Sequence, residues 1–573
     1  MASNPRRGGC PPNENVFSFW VLDRAPMGYN IADLFERAVD AVPDRVAVVC
    51  DGRRLTYREF DEEANRLAHH LLAQGFGHGD HIGIYAQNSL EWIVAMIAAF
   101  KLRAVPININ FRYVEDELAY LFDNADLVAV LHDREYVHRI AAVKDRTPSL
   151  RHFVCMDAPA GSGGDDDLAS IGSLPWPDAV AAQPSTRPEL DRTDDDEYVL
   201  YTGGTTGMPK GVVWRHEDVF YALGGGVDAY TNERVTHGHQ LAEKAASTEN
   251  PMVALNPAPL MHGAAQWGTL RFLFEGGTAV LVHKFSPEAV WSAIQDEKVN
   301  TITITGDAMA RPLVETLQAD PDRWDLSSLF VVSSSAVVFS PALKEQMFDL
   351  LPNIIIVDAI GSSESGMNGM VIQSKGQTLN QGGGGPTVTA GRDAVVLDDD
   401  LRPLEPGTGQ IGKLARGGNI PIGYYKDPVK TAATFVTGAD GIRYVVAGDF
   451  ARLEEDGNIT LLGRGSACIN SGGEKIFPEE VESVLKTHPA VYDVLVVGVP
   501  DDRWGSSVCA VVQPRDGATP PSLDDLDQHA RQHLAGYKVP RHLVLCDEIV
   551  RSPSGKPDYP WATTLASESV TPA

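Results

Sequence analysis

Cysteine is scarce in this chain. Six residues in 573 (Cys10, Cys50, Cys155, Cys468, Cys509 and Cys546) lie scattered, none in a Cys-x-x-Cys pair. That excludes a disulfide framework and a thiolate zinc site, and makes a reducing cytoplasm the simplest home. Long apolar runs are also missing. No stretch reaches the ~18 uninterrupted apolar residues of a membrane span. The opening residues carry Arg6 and Arg7 without an apolar signal core. Basic residues are the third shortage, 48 Lys+Arg standing against 77 Asp+Glu for a formal charge of −29. Affinity for nucleic-acid backbones and anionic lipid comes from clustered Lys and Arg, so neither partner is expected. A polyanionic substrate would need local Lys or Arg, backbone N–H groups or a divalent cation where it binds.

What is present is alternation. From Ala32 onward, helical periods at Leu34–Val42, Tyr57–Gln74, Glu91–Leu102 and Glu115–Asn124 interleave with strand-like runs at Val46–Cys50, His81–Tyr85, Ala104–Ile109 and Leu127–Leu131. Helical crossovers between such runs imply parallel strands in a layered α/β architecture. Segment 157–195, with Gly161–Gly164, two Asp triplets and several prolines, reads as a surface connection with solvated charge. A second α/β block follows Tyr198, with strands expected at Thr278–Val282, Thr301–Thr305, Phe330–Ser333 and Ile354–Ile356. Region 387–465 has short strand patterns separated by Gly and Pro turns, which suggests a small β subdomain. After Arg464 the composition resets, with a helix expected at Glu479–Thr487 and a strand at Val491–Val499. The division expected is an N-terminal extension 1–29, a large layered α/β domain with its β subdomain over 30–465, and a small mobile α+β domain over 466–573.

Strand Tyr198–Tyr201 runs into Thr202-Gly203-Gly204-Thr205-Thr206-Gly207-Met208-Pro209-Lys210-Gly211. Glycines let the backbone approach an anion, the three hydroxyls donate hydrogen bonds and Lys210 adds charge, so the loop suits phosphate. It is not a Walker A loop, because Pro209 and Gly211 flank the lysine where that motif needs glycine and a hydroxyl.

This loop resembles the signature of the adenylate-forming enzymes, which include acyl-CoA synthetases, firefly luciferase and peptide-synthetase adenylation domains. Further matches follow in order: Pro259-Leu260-Met261-His262-Gly263, Ser334-Ser335-Ala336, Gly361-Ser362-Ser363-Glu364, Gly448-Asp449, Gly463-Arg464, Gly472-Gly473-Glu474 and Pro553-Ser554-Gly555-Lys556. Within that superfamily, Trp214–Asp218, Thr305–Pro312 and Lys556-Pro557-Asp558-Tyr559 look like actinobacterial acyl-CoA synthetases that activate steroid side-chain or fatty acids.

The resemblance implies a two-step reaction: a carboxylate attacks the α-phosphate of ATP, and the thiol of coenzyme A then displaces AMP. Thr202, Gly203, Gly204, Thr205, Thr206, Gly207 and Lys210 would hold phosphates. Glu364 would bind Mg²⁺, Ser363 would sit beside the α-phosphate, and Ser334, Ser335 and Ala336 would wall the adenine. Asp449 and Arg464 would take the ribose. Lys556 would be the adenylating lysine, replaced after domain rotation by a face with Gly472 and Gly473 that admits pantetheine. Thr206, Lys210, Glu364 and Lys556 are thus the implied catalytic set. His262 and Gly306 would line the acyl pocket, whose small neighbours Gly263, Ala264, Ala265, Ala308 and Ala310 suit a bulky hydrophobic acid. His237 and His239 read as loop histidines, since no Cys or acidic partner sits at ligand spacing. The chain departs from the family at the hinge, with Ser466-Ala467 where many relatives carry Lys-Asp, and at Ile360, where an aromatic is usual. Three alternatives stay open: delivery to a carrier-protein thiol, a luciferase-like oxidation of the same adenylate, and a non-catalytic adenylate-binding or scaffolding role. A homodimer also stays open.

Overall fold

Apart from Glu91 in its first turn, the helix Leu90–Lys101 is buried around its whole circumference. Leu90, Trp92, Ile93, Val94, Met96, Ile97 and Phe100 are all buried, which only an interior position satisfies. It lies between two sheets, touching strand Val46–Cys50 of one and strands His81–Tyr85 and Val105–Asn108 of the other. The computed structural model describes residues 28–158, 160–202, 208–228, 231–335, 337, 339–377, 386–471, 474–501, 505–551 and 556–570.

Among the described residues the first sheet has 15 strands and the second eight. In the first, Thr278–Leu281, Val253–Asn256, Thr301–Ile304, Val331–Ser334 and Ile355–Ser362 run parallel as neighbours. In the second, Glu197–Thr202, Val105–Asn108, His81–Tyr85, Leu127–His132 and His152–Cys155 do the same. Parallel strands place their carboxyl ends on one edge, where α/β proteins bind ligands. A three-stranded sheet of Val491–Asp501, Gly505–Pro514 and His542–Leu545, with helices Pro478–Leu485 and Tyr559–Ser569, builds the small C-terminal unit around its own core. The chain is therefore α/β: large layered sheets followed by a small C-terminal domain.

The structure refines one expectation. Segment 157–195 is more ordered than an open connection, holding helices Asp166–Ile171 and Trp176–Val180 and an edge strand Leu174–Pro175. Its acidic triplet is partly paired, Arg134 donating to both Asp165 and Asp167. Region 387–465 forms the small β subdomain, with apolar clusters of its own around Val388, Val396, Leu414 and Ile459 and around Leu397, Ala415 and Tyr444. Thr387–Ala390 pairs with Gly366–Ser374 on one side and Ile459–Arg464 on the other, so its hydrogen bonding continues that of the large sheet. Among the described residues no helix is long and apolar enough to cross a membrane.

The buried helix ends on a fully buried charge. Lys101 Nζ donates to Glu36 Oε1 at 2.5 Å and Asp61 Oδ1 at 2.7 Å, tying together three helices, while Arg192 and Arg187 bind the same two carboxylates from outside. Lys101→Met would leave both acids buried without their shared cation, which costs about 3 kcal/mol or more. Urea unfolding should show that loss.

Burial also holds the imidazoles of His132 and His216 down to about 4. The unfolded chain, with histidines near 6.5, then binds the extra protons, so this stability is whole above that value and lost as pH falls toward 4. The pair loses roughly 4 kcal/mol between pH 7 and pH 5. His152 and His262 act in the same direction, also being pushed down to about 4. Asp133 opposes them: burial raises its carboxyl to about 7, which returns roughly 2 kcal/mol over the same interval. The melting temperature is expected to be lower at pH 5 than at pH 7, and an unchanged midpoint would refute this balance.

Candidate active site

The site grows from the carboxyl edges of the two sheets. In the first sheet, four neighbouring parallel strands end beside it. Val253–Asn256 leads to His262, Thr301–Ile304 to Gly306, Val331–Ser334 to Ser334 itself, and Ile355–Ser362 to Ser363 and Glu364. From the second sheet, Asn108 reaches across, its Nδ2 donating to the carbonyls of Tyr201 and Met261 at 2.8 and 2.7 Å. Asn108 thus stitches the strand entering the glycine–threonine loop to the segment bearing His262. Sequence reading missed it, for a lone Asn at a strand end carries no signal.

Glu364 sits in the tight turn between strands Ile355–Ser362 and Gly366–Ser374. A Cβ on Gly361 would meet the Gly366 carbonyl oxygen and Gly366 adopts φ +67°, so both positions require glycine. Ser365 braces the turn by donating its N–H to Ser362 Oγ, while the buried Arg416 donates to the carbonyls of Ser365 and Met367. Trp214 Nε1 donates to the Ser363 carbonyl at 3.1 Å, fixing this turn against the strand that leaves the loop.

The loop's two ends are held by register, Thr202 lying opposite Lys210 across antiparallel strands. Lys210 Nζ donates to Asp427 Oδ2 at 2.8 Å and lies 5.8 Å from the Tyr424 ring centre. Tyr424 in turn donates its hydroxyl to Glu364 Oε1 at 2.9 Å. Strand Gly423–Tyr424 pairs with Lys210–Arg215, which brings these groups together. Tyr424 and Asp427 are further residues the sequence reading passed over. The run Gly423-Tyr424-Tyr425-Lys426-Asp427-Pro428, with Asp427 capping a helix, was the available clue.

Ser334 and Gly306 also meet, the Gly306 N–H donating to Ser334 Oγ at 3.2 Å, and Ser335 donates its N–H to the Ile304 carbonyl. Gly306, at φ +51°, opens helix Gly306–Ala319. Asp449 and Arg464 lie directly opposite each other in a hairpin of strands Asp449–Leu453 and Ile459–Arg464. Their fifteen-residue spacing is therefore that of one hairpin returning on itself. Gly203, Gly204, Thr205, Thr206, Gly207, Ala336, Gly472 and Gly473 lie outside the described residues.

His262 precedes helix Gly263–Phe274, with Nε2 buried and no hydrogen-bond partner among the described residues. It lines a small cavity with Asn108, Asn110, Tyr113, Tyr201 and Met261. Burial, with added repulsion from Lys556 and Arg112, pushes its imidazole down to about 4. Lys556 belongs to the C-terminal unit. His237, by contrast, lies 3.8 Å from Glu243, and His239 flanks helix Gln240–Ser247.

A family model described as AMP-binding enzyme matches residues 35–425, and one described as AMP-binding enzyme C-terminal domain matches 480–556. The chain belongs to the AMP-binding enzyme family. It is 52% identical over 541 residues to a 3-oxocholest-4-en-26-oate–CoA ligase of Rhodococcus rhodochrous, covering 94% of this chain and 96% of the relative. It is 51% identical over 545 residues to a medium/long-chain-fatty-acid–CoA/3-oxocholest-4-en-26-oate–CoA ligase of Mycolicibacterium smegmatis, covering 95% and 97%. The chain therefore stands among the acid–thiol ligases of this AMP-binding family. Its fold matches that of the anthranilate CoA ligase AuaEII in complex with anthranoyl-AMP, with a TM-score of 0.81 at 22% identity over 95% of this chain and 98% of that one.

The site's chemistry suits a divalent cation. The half-buried Glu364 carboxylate spends Oε1 on Tyr424 and offers a second oxygen. Among the described residues there is no cluster of three or more His, Cys, Asp or Glu for an all-protein cage. A single carboxylate working with substrate phosphates and water is how Mg²⁺ is commonly held.

Proposed function

We propose that this AMP-binding enzyme is an ATP-dependent acyl-CoA ligase for a hydrophobic carboxylic acid, either a steroid side-chain acid or a medium- or long-chain fatty acid. The observation that carries the reading is the linked group at the loop: Lys210 on Asp427 and Tyr424 on Glu364, which joins the strand leaving the glycine–threonine loop to the turn that bears the acid. It is supported by ligase relatives more than half identical over both units. The proposed division keeps 1–29 as an extension, 30–465 as the adenylating unit and 466–573 as the mobile unit.

Both half-reactions gather negative charge, so donors and cations aimed at the phosphorus should dominate catalysis. The glycine–threonine loop from Thr202 to Gly207 and Lys210 hold the β- and γ-phosphates, for which Lys210 must leave Asp427. Glu364 holds Mg²⁺, which when bound neutralises phosphate charge and orients the leaving pyrophosphate. Ser363 lies beside the α-phosphate. Ser334, Ser335 and Ala336 form the adenine wall, and Asp449 with Arg464 takes the ribose, one carboxylate offering two acceptors to a vicinal diol. Lys556 binds the acyl carboxylate and α-phosphate as charge develops. His262 and Gly306 line the acyl pocket, and His262 stays neutral there. The small unit then turns about Gly465–Ala467 and presents Gly472 and Gly473 to pantetheine. Cysteine usage supports a cytoplasmic setting, the five described cysteines all being free thiols. Whether the ligase is a homodimer is decided by its mass in solution.

The test is pyrophosphate release with Mg·ATP over a panel of steroid, fatty and aromatic acids, with and without coenzyme A. Turnover with thioester formation on steroid or fatty acids is expected. Release without a thioester would point to a carrier protein instead, and tight ATP binding without release on any acid would favour a binding role.

A further inference from the structure

Between the two units lies a short buried chain of alternating charge. Asp307, in the first turn of helix Gly306–Ala319, accepts the Ser340 N–H on Oδ1 at 2.7 Å. Its Oδ2 is buried, has no hydrogen-bond partner among the described residues, and faces Lys486 Nζ of the small unit at 3.8 Å. Lys486 in turn lies 3.4 Å from Asp493 Oδ1. Arg551 grips Asp493 with two bonds, Nε to Oδ2 and Nη2 to Oδ1, each 2.9 Å. Arg551 also forms an isolated β-bridge with Pro557, so those two residues close the base of the loop that ends in Lys556. Beside this chain the Arg311 guanidinium stacks 4.4 Å from the ring centre of Tyr492, a second link between the units.

We propose that Lys486 and Asp493 are positioning residues for the adenylating half-reaction: Asp307, Lys486, Asp493 and Arg551 dock the small unit on helix Gly306–Ala319 and set the loop of Lys556. The inference rests on the ligase reading of the same site. The physical case is burial. Lys486 and Asp307 have side chains only 8% and 9% exposed, and a charge so placed is held by its partners' geometry because water no longer screens it. The anchor is also local to the chemistry, since Gly306, next to Asp307, donates to Ser334. Once the small unit turns, Asp307 loses Lys486 while Asp493 and Arg551 turn together, so the contact favours one orientation. Misplacing a reacting group by about 1 Å can cost on the order of 100-fold, and the loop base is where such an error would enter.

The test uses the full chain and measures two half-reactions apart: acid-dependent ATP–pyrophosphate exchange, and thioester formation from supplied acyl-adenylate with coenzyme A. Lys486→Met and Asp307→Asn are each expected to lower exchange about tenfold or more, with KM for ATP little changed. The ratio of the second half-reaction to the first should rise accordingly. The double variant should be no worse than the weaker single, the signature of one shared interaction, and Lys486→Arg should recover most of the rate. Parallel loss of both half-reactions, or losses that multiply in the double variant, would overturn the proposal. A readout independent of activity is limited proteolysis around Gly465–Ala467, which should quicken severalfold in Lys486→Met. Unchanged cleavage there overturns the docking role even if wild-type protein adenylates no acid in the panel, an outcome that would by itself refute only the ligase reading.

Discussion

Lys556→Ala is expected to lower acid-dependent pyrophosphate release by about a thousandfold, the size of effect seen when one preorganised donor to a developing charge is removed. Several features lead there. The lysine ends a loop whose base is closed by Arg551 and Pro557, it belongs to the small unit, and its charge acts on His262 in the pocket of the large one. An ammonium on a long stem can follow the carboxylate and the α-phosphate as they approach. A guanidinium is broader and planar, so Lys556→Arg should recover little. The measurement is the single-turnover rate of pyrophosphate release, set beside thioester formation from supplied acyl-adenylate. The second rate should change by less than about tenfold, because the small unit has by then turned its other face to the site. Equal loss in both would remove Lys556 from the adenylating role.

How much of this was legible beforehand depends on the range of the interaction. Local patterns were read well: the Tyr57–Ala73 helix and the His81–Tyr85 strand are within one residue of the periodicity that announced them. The first helix starts three residues earlier than its apolar pattern, at Ile31. Asn30 caps it by accepting the Ala32 N–H while also donating to Asp196, and that second, long-range role is invisible in a local window. The short strands and turns of region 387–465 announce its β subdomain, but whether those strands join the large sheet is not a local property. Only the pairing of Thr387–Ala390 with Gly366–Ser374 decides it.

The candidate site divides the same way. Residues inside motifs were named, and the fold brings Ser334 to Gly306 and Asp449 opposite Arg464. The residues passed over, Asn108, Tyr424, Asp427 and Lys486, share one property. Each acts on a partner at least 60 residues away, as Tyr424 does on Glu364 (|i−j| = 60) and Asn108 on Tyr201 and Met261 (93 and 153). Such pairs follow from topology, which a local window of the sequence does not show.

Glu364→Gln separates charge from shape at the centre of the site. The amide keeps a carbonyl oxygen for the Tyr424 hydroxyl and the same volume, so the turn braced by Ser365 and Arg416 should hold, with the melting temperature within about 2 °C of wild type. What is lost is the negative charge that a hard cation requires. Adenylation at saturating acid should fall about 100-fold or more at millimolar Mg²⁺, and the Mg²⁺ concentration giving half-maximal rate should rise. Tyr424→Phe makes the complementary change, leaving the charge and removing one hydrogen bond worth about 1 kcal/mol. It should lower the rate only severalfold, with little shift in the Mg²⁺ midpoint. Were Glu364→Gln to keep the wild-type Mg²⁺ dependence, the cation would have to be held elsewhere, and the carboxylate's work would reduce to accepting the tyrosine's proton in the hydrogen bond that locks loop to turn.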